Sequence, residues 1–358
     1  MKTKRDVYCE FAFWESFFNL EEDILRDRPK RKLWDSFYDF LISNNLFFNI
    51  PNQSIDPNSI GGQRLTELMH SKGGAGFSFI PKKFPRFDNL AEFNDRHLNA
   101  VFLTTLETTI CTDLSQKTGI LVINLEMVFS ADHIYNEYLE TFVRGKAHNW
   151  DYLINLKQKC PSICYNNSLI LVDRYILSEE QELRNPFFFD MNIKPLFEYL
   201  LPSSLDSNVD YNICIISEIQ PGNENLCIGK IEDLIKTIRP ELQFSLTILN
   251  TNRIHDRSIL TNNILLTSGA GFDIFGRNGR PIKTTTQSLI FPFIKSNSGN
   301  NNIYLAWIYN ILEETRNRPY DSTPIRHHLL DHYYEEPPTK RETYNRRNRY
   351  EYRPRRAT

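Results

Sequence analysis

Short apolar runs alternate with amphipathic segments along most of the chain, and this alternation predicts α/β structure. Runs of about four to eight apolar residues are typical of buried strands, whereas apolar positions three and four residues apart are typical of helices packed on one face. In the first half, strands are predicted at a segment beginning at Tyr8, at Leu46–Pro51, at Leu98–Thr104 and at Gly119–Asn124. Helices are predicted at the aromatic segment ending at Phe18, at Leu33–Leu41, around Leu65–Leu68 and at Thr108–Lys117.

The second half repeats the alternation and predicts a second α/β unit with a mixed sheet. Its strands are predicted at Ser168–Leu177, Tyr211–Glu218 and Phe244–Asn250, with helices at Lys194–Leu201, Lys230–Ile238 and Asn302–Thr315. A further strand carrying His255 and Arg257 is predicted to turn back through Leu265 and Leu266. We therefore expect two domains, each a mixed or parallel sheet flanked by helices, over residues 1–130 and 166–330, with a helical connector at 131–165 and a disordered tail at 331–358.

The overall composition favours a globular protein of this size. The chain has 358 residues, 41% of them hydrophobic, which is enough for a substantial core and favours two domains over one. No apolar run approaches the roughly 20 residues that span a bilayer, and the first residues lack the apolar region of a signal peptide. We therefore expect a cytoplasmic protein with no transmembrane segment.

The six cysteines lie mostly in apolar, strand-like segments, as free buried thiols do. They are Cys9, Cys111, Cys160, Cys164, Cys214 and Cys227. Cys160 and Cys164 form a close pair, but Pro161 lies between them and no partner pair occurs elsewhere in the sequence. This spacing does not favour a zinc site.

Charge is distributed unevenly along the chain. The net charge is −2, yet the last nineteen residues hold eight Lys or Arg against two Glu, so this end carries +6 and the remainder −8. Arginine pairs with phosphates and tyrosine stacks on bases, so their interleaving predicts a nucleic-acid-binding segment. The residues predicted to bind are Arg346, Arg347, Arg349, Tyr350, Arg353, Arg355 and Arg356. A tail that improves solubility or binds a protein partner is the alternative.

The segment from Ile254 to Phe275 carries the strongest chemical pattern. His255 and Arg257 are two residues apart, so on a strand they share one face. Ser268 and Gly269 follow the returning strand and offer a hydroxyl and a backbone that can approach a phosphate closely. Lys283 adds one more cation downstream. The pattern predicts a phosphate-binding site, and the alternative is a salt-bridged turn at the start of a strand.

The spacing resembles the signature of the phospholipase D superfamily, which is His-x-Lys, four residues, Asp, six residues, Gly-Ser. Here it is His255-x-Arg257, four residues, Asn262, six residues and Gly269, with Ser268 before the glycine. The strand ending in Asp173-Arg174-Tyr175 also resembles the opening strand of that fold.

The resemblance implies roles for these residues. His255 would attack phosphorus, Arg257 would steady the oxyanion, Asn262 would orient, and Ser268 with the Gly269 backbone would donate hydrogen bonds to phosphate. This route needs no cofactor. The active enzymes of the superfamily pair two motifs and this chain has one copy, so the resemblance implies either a homodimer with a two-fold axis or a domain that only binds.

The first half resembles PIN-domain nucleases more distantly. Those enzymes place acidic residues after the first strand, on a following helix and after a central strand, and the nearest residues here are Glu10, Glu67 and Glu107. The resemblance implies bound Mg²⁺ or Mn²⁺ that activates water. Glutamates on a solvated surface are the alternative.

Together these features predict a protein that engages nucleic-acid phosphodiesters, DNA or RNA, as a nuclease of the phospholipase D type. The alternative is a non-catalytic adaptor that binds phosphate on nucleic acid, a lipid headgroup or a partner protein. A role in microbial defence or nucleic-acid processing would fit either function by analogy.

Overall fold

A computed structural model of the chain describes large parts of both predicted units. The described residues are 5–24, 26–71, 76–79, 81, 84–94, 100–130, 143–147, 150, 165–177, 189–252, 254, 256–269, 271–272, 274–275, 280, 285–290 and 310, with the backbone alone in 143–147 and 285–290. These residues form an α/β structure with one sheet of five strands and one of seven.

The five-stranded sheet belongs to the first half of the chain and is parallel throughout. Its strands are β1 (Asp6–Cys9), β2 (Asn45–Phe48), β3 (Phe77–Phe79), β4 (Ala100–Leu103) and β5 (Leu121–Ile123). Their order is β3-β2-β1-β4-β5, so the chain moves outward from β1 in one direction and later returns to its other side. Helices must cover both faces of such a sheet, which explains why every residue of β4 is buried.

An aromatic core packs the helices of this half against one another. The helices are α1 (Phe11–Asn19), α2 (Glu21–Ile24), α3 (Arg28–Ser43), α4 (Ile60–Ser71), α5 (Thr108–Thr118) and α6 (Leu125–Phe129). The Phe17 ring stacks on Trp34 with a centroid distance of 5.0 Å and meets Phe37 edge to face at 5.3 Å. Helix α3 contains the predicted helical segment Leu33–Leu41, and Trp34, Phe37 and Leu41 lie on its buried face.

The seven-stranded sheet belongs mainly to the second half and is mixed, as predicted. Its strands are β6 (Val143–Ala147), β7 (Ser168–Val172), β8 (Tyr211–Ser217), β9 (Phe244–Asn250), β10 (Arg257–Thr261), β11 (Leu265–Ser268) and β12 (Thr285–Ile290), in the order β6-β12-β11-β10-β7-β8-β9. Strands β7, β8 and β9 are parallel, and the other pairings are antiparallel.

Two helices, α7 (Lys194–Leu200) and α8 (Glu224–Ile238), connect the parallel strands of this sheet. The amphipathic pattern that predicted α8 is explained by its buried face, which carries Cys227, Ile231 and Ile235. In the described part of the chain, no helix combines the length and the apolar character needed to cross a membrane.

Strand β6 differs from the predicted helical connector. It pairs antiparallel with β12, where Lys146 lies opposite Thr286. Gly145 weakens a helix at this point, and the hydrogen bonds of a strand come from β12, about 140 residues away in sequence, where no local pattern could reveal them. Apart from residues 143–147, Trp150 and Tyr165, the connector lies outside the described residues; so do the tail and, except for Asn310, the predicted helix at 302–315.

Buried free thiols are confirmed at four of the predicted positions, Cys9, Cys111, Cys214 and Cys227. Burial raises the pKa of Cys111 to about 12 and that of Cys227 to about 11. These thiols therefore stay protonated and unreactive at neutral pH. Cys160 and Cys164 lie outside the described residues.

A polar junction joins the two halves beside a continuous apolar cluster that includes residues of both sheets. Arg5, immediately before β1, is 3% exposed and donates from Nη2 to the carbonyl of Asn262 and to Oδ1 of Asn263. Asn167 donates from Nδ2 to the carbonyl of Thr118 at 3.1 Å. Residues far apart in the sequence therefore meet in the interior.

Gly119 permits this close approach. It ends α5 in the left-handed conformation, with φ +69°, and a Cβ there would lie 2.4 Å from the carbonyl carbon of Asn166. Both the conformation and the space favour glycine at this position.

Candidate functional site

The carboxyl ends of β7, β8 and β9 form one edge of the mixed sheet, and the predicted phosphate motif meets this edge. In open α/β sheets, ligands bind in the crevice outside the carboxyl ends of the strands. Strand β10 runs antiparallel to β7, so its first residue, Arg257, lies beside the loop that follows β7. Strand β11 ends at this edge, with Ser268 opposite Arg257.

Asp173 ties the loop after β7 to the loop after β11. Its side chain is fully buried, and Oδ1 accepts from the Tyr175 N–H at 3.0 Å. Oδ2 accepts from the Phe272 N–H at 2.7 Å. Hydrogen bonds that backbone amides donate to a carboxylate are among the stronger ones in proteins. The two loops are therefore held in a fixed relation before any ligand arrives.

Arg174 faces a carboxylate on the neighbouring strand end. Its Nε lies 2.6 Å from Oε2 of Glu218, and both side chains are 36% exposed. This hydrogen bond raises the pKa of Arg174. The positive charge of Arg174 is therefore largely compensated within the protein.

Arg257 is held differently, since none of the described carboxylates pairs with it. Its Nη1 donates to the Gly269 carbonyl at 3.3 Å, and its Nε is buried without a hydrogen-bond partner. The guanidinium carbon lies 5.5 Å from the centre of the Tyr175 ring. A guanidinium has five N–H donors. Three of the five N–H donors of Arg257, one on Nη1 and two on Nη2, therefore make no hydrogen bond with the described residues, and its charge is not compensated by them.

Ser268 and Gly269 shape the loop beside Arg257. Ser268 is 5% exposed, and its hydroxyl donates to the Gly271 carbonyl at 2.6 Å. Gly269 is exposed, and its carbonyl accepts from Arg257. The structure therefore brings Arg257, Ser268 and Gly269 together, with the Ser268 hydroxyl directed at its own loop.

Asn262 lies at the opposite end of β10. It lies five positions after Arg257, a distance of about 17 Å along an extended strand at ~3.4 Å per residue. It is 1% exposed; its Nδ2 donates to Oδ1 of Asn167 at 2.9 Å, and its Oδ1 accepts from the Asn167 N–H at 3.0 Å. The length of the strand thus separates Asn262 from the edge where Arg257 lies, and its side chain belongs to the junction between the halves.

Two predicted site residues and the tail cannot be placed in this geometry. His255 and Lys283 lie outside the described residues, as do the arginines and Tyr350 of the tail. The neighbours of His255 are described: Ile254 is 3% exposed and Asp256 is exposed.

The three glutamates predicted for the first half are engaged in separate interactions. Glu10 follows β1, and its Oε2 accepts from the Thr104 hydroxyl and the Thr105 N–H, each at 2.9 Å. Glu67 on α4 pairs with Arg64 at 3.1 Å, while Glu107 precedes α5. Among the described residues, no three His, Cys, Asp or Glu side chains are grouped so that they could hold a metal ion. The structure does not assemble Glu10, Glu67 and Glu107 into one site.

Tyr175 is the residue that the sequence did not single out for function. Tyr175 is 40% exposed. In the described part of the chain, it is one of three large hydrophobic residues with high exposure, together with Ile60 and Ile110. The carbons at the centres of the Arg174 and Arg257 guanidinium groups lie 5.4 and 5.5 Å from its ring centre. Its position directly after a buried apolar strand was the available indication, because that position lies at the ligand-binding edge of a parallel sheet.

Comparisons with known proteins add little to this picture. No protein-family model matches the chain, and no curated protein matches it significantly. Among solved structures it is similar to TrmBL2, an archaeal chromatin protein whose structure shows a novel mode of DNA binding. That similarity has a TM-score of 0.22 and 12% sequence identity, and it covers 48% of this chain and 51% of the other. The chain thus spans about half the length of TrmBL2, and a TM-score this low does not define a shared fold.

Proposed function

We propose that this protein binds phosphate groups of nucleic acid at the carboxyl edge of its mixed sheet, through Arg257. The observation that carries the proposal is the state of this guanidinium. It lies beside two loops tied together by Asp173, and none of the described carboxylates pairs with it. Arg174 lies at the same edge but differs from Arg257, because Glu218 compensates its charge.

A phosphate would satisfy the donors that Arg257 leaves available. The planar guanidinium matches two phosphate oxygens at once, which a lysine cannot do. The Nε of Arg257 is buried, so the phosphate oxygens would accept hydrogen bonds from the terminal Nη1 and Nη2 groups. The charge of Arg257 is not compensated by the described residues, so the site favours anions over neutral ligands.

The tail supports nucleic acid as the source of the phosphate. Its interleaved arginines and tyrosines are suited to neutralising phosphates and stacking on bases. Arg257 would then supply a fixed contact, and the tail would raise affinity without sequence preference.

Cleavage is the second candidate, and the spacing of His255 and Arg257 favours it. His255 precedes Arg257 by two residues, the offset at which the phospholipase D superfamily places its nucleophile and cation. His255 would attack phosphorus, and the P–O bond to the leaving strand would break as the P–N bond forms, with the leaving oxygen taking a proton from solvent. Water would then hydrolyse the phosphohistidine and restore His255. Arg257 would stabilise the developing charge, and no metal takes part in this route. The chain has one copy of the motif, so we expect a cleaving form to be a homodimer, visible by light scattering.

The test measures binding and cleavage with the same labelled strands. Arg257→Gln should weaken binding roughly 10- to 150-fold, the value of a hydrogen bond to a charged group, and should lower the slope of log affinity against log salt by about 0.7–0.9. Arg86→Gln is the matched control, because Arg86 is 72% exposed and already paired with Asp88. Equal affinity of Arg257→Gln and wild type would exclude the proposed site, and binding to anionic vesicles but not to nucleic acid would exclude the proposed ligand.

Cleavage is followed with EDTA and with Mn²⁺ in wild type and His255→Ala. Metal-independent cleavage lost in His255→Ala would establish the phospholipase D-like reaction. Metal-dependent cleavage that is unchanged in His255→Ala would indicate an active site in the first half, although Glu10, Glu67 and Glu107 are not grouped there in the described residues. Binding without cleavage would leave the adaptor function.

A further inference from the structure

Tyr175 gives the edge around Arg257 a second chemical property, an exposed aromatic side chain beside two cations. We infer that Tyr175 stacks against an unpaired base of the bound strand, so that the site takes single-stranded nucleic acid in preference to duplex. This inference rests on the phosphate-binding function proposed above and names its substrate class.

The exposure of Tyr175 is unusual for this protein. Many aromatic side chains of the first half are packed into the core, as Phe17, Trp34 and Phe37 are. Tyr175 is instead 40% exposed, at an edge where ligands of α/β sheets bind. A large aromatic ring exposed at such an edge is suited to a planar, apolar partner.

The position of Tyr175 is fixed by its backbone. Its N–H donates to buried Asp173, and the carbonyl of Arg174 accepts from the Ser217 hydroxyl at 3.2 Å and from the Glu218 N–H at 3.1 Å. The loop is therefore ordered before binding. A preordered ring loses little conformational entropy when a base stacks on it, which favours affinity.

The two arginines next to the ring select the same ligand. Their guanidinium carbons lie 5.4 and 5.5 Å from the ring centre, within the range of cation–π attraction. Stacking on aromatic rings and on guanidinium planes is the usual way in which proteins hold unpaired bases. Arg257 is close enough to the ring to hold the phosphate of the nucleotide whose base stacks there. In a duplex the bases are stacked on one another and are not available to Tyr175.

The experiment compares oligo(dT) with an abasic strand of the same length, both fluorescein-labelled and about 20 nucleotides long, which exceeds the ~4–16 nucleotides that such sites occupy. The two strands carry the same phosphates, and only the first has bases. The full chain is used, and the tail has tyrosines of its own. The informative quantity is therefore the ratio of the two affinities and how a substitution changes it.

We expect wild type to bind oligo(dT) more tightly than the abasic strand and the corresponding duplex. Tyr175→Ala should reduce the ratio of oligo(dT) to abasic affinity roughly 5- to 150-fold, the range measured for loss of one stacking contact. Tyr175→Phe keeps the ring and should keep the ratio. Ile110→Ala is a control for removal of an exposed apolar side chain, since Ile110 is 42% exposed. An oligo(U) arm repeats the comparison for RNA.

The outcomes separate this inference from the function on which it rests. If the ratio is the same in Tyr175→Ala as in wild type while Arg257→Gln weakens both strands, then phosphate binding stands and base stacking is refuted. Tighter binding of duplex than of oligo(dT) would also refute it. If Arg257→Gln changes neither strand, then the phosphate site itself is refuted.

Discussion

Asn262 offers the sharpest test of whether sequence spacing or three-dimensional placement decides the role of a residue in this protein. The resemblance to the phospholipase D superfamily assigns Asn262 an orienting role in catalysis. The structure places it about 17 Å along the strand from Arg257 at ~3.4 Å per residue, in the junction between the two halves. Substitution at this position should therefore change stability and leave the ligand site intact.

The expected loss of stability in Asn262→Ala follows from its two hydrogen bonds with Asn167. The Asn167 N–H would lose its buried acceptor, at a cost of about 1–3 kcal/mol, and the bond between the two side chains would be lost as well, about 0.5–1.5 kcal/mol. Oδ1 of Asn167 still accepts from the Ser168 hydroxyl at 3.1 Å, so this oxygen adds no further loss to the free energy of unfolding. A total of about 1.5–4.5 kcal/mol should lower Tm by roughly 2–6 °C for a protein of this size, at an unfolding entropy of about 2.1 cal/mol/K per residue.

Asn262→Asp, which introduces the aspartate found in the superfamily signature, should not produce catalysis. One carboxylate oxygen could still accept from the Asn167 N–H, but the other would face Oδ1 of Asn167, also an acceptor. The new charge would also be buried, because the position is 1% exposed. We expect a lower Tm and no gain in cleavage rate.

The assay combines thermal unfolding with strand binding measured well below Tm. Asn52→Ala serves as the control, because Asn52 is exposed in the first half. Both Asn262 variants should melt at lower temperature than wild type and the control, with unchanged affinity for oligo(dT). A variant that melts like wild type yet loses binding or cleavage would show that Asn262 acts in the ligand site, contrary to this reasoning.

Three further predictions address the edge, the junction and the thiols. Glu218→Gln should free the charge of Arg174 and tighten oligonucleotide binding at low salt with a steeper salt dependence; weaker binding in anisotropy titrations would contradict this. Gly119→Ala should lower the free energy of unfolding in urea by more than the ~1–2 kcal/mol that a left-handed conformation costs, because the added Cβ would also clash with the backbone of Asn166. Gly229→Ala in α8 is the control: no atom lies within 4 Å of the added Cβ, so the free energy of unfolding should rise by up to about 1 kcal/mol. The native protein should expose at most two of its six thiols to a disulfide reagent at neutral pH, and all six in guanidinium; rapid reaction of three or more would show that the four buried thiols are accessible.

The local pattern of the sequence predicted most individual elements, because that pattern causes them. Phe244–Asn250 is a strand over the residues predicted, and Thr108–Lys117 differs from the observed helix by one residue. Strand order could not be read in this way. The order β3-β2-β1-β4-β5 and the addition of β6 to the second sheet depend on pairings between residues far apart in sequence.

The candidate site was predictable in part for the same reason. Arg257, Ser268 and Gly269 lie on paired strands joined by a short turn, so their proximity follows from local sequence. The roles of Asp173 and Tyr175 depend on a hydrogen bond between Asp173 and Phe272, 99 residues apart. Spacing alone also could not show that Glu218 compensates Arg174 while Arg257 is left without such a partner among the described residues.

The contact of Arg5 with the turn at Asn262 and Asn263 has a consequence for the order in which the protein can fold during synthesis. The guanidinium that precedes the first strand is buried against residues made 257 and 258 positions later. At about 5–20 residues per second, a ribosome needs roughly 10–50 s to reach them. Until then Arg5 lacks these acceptors, and a charged group without partners resists burial. The parallel sheet of the first half can therefore form early, but the end of its central strand is completed only after most of the chain has been translated.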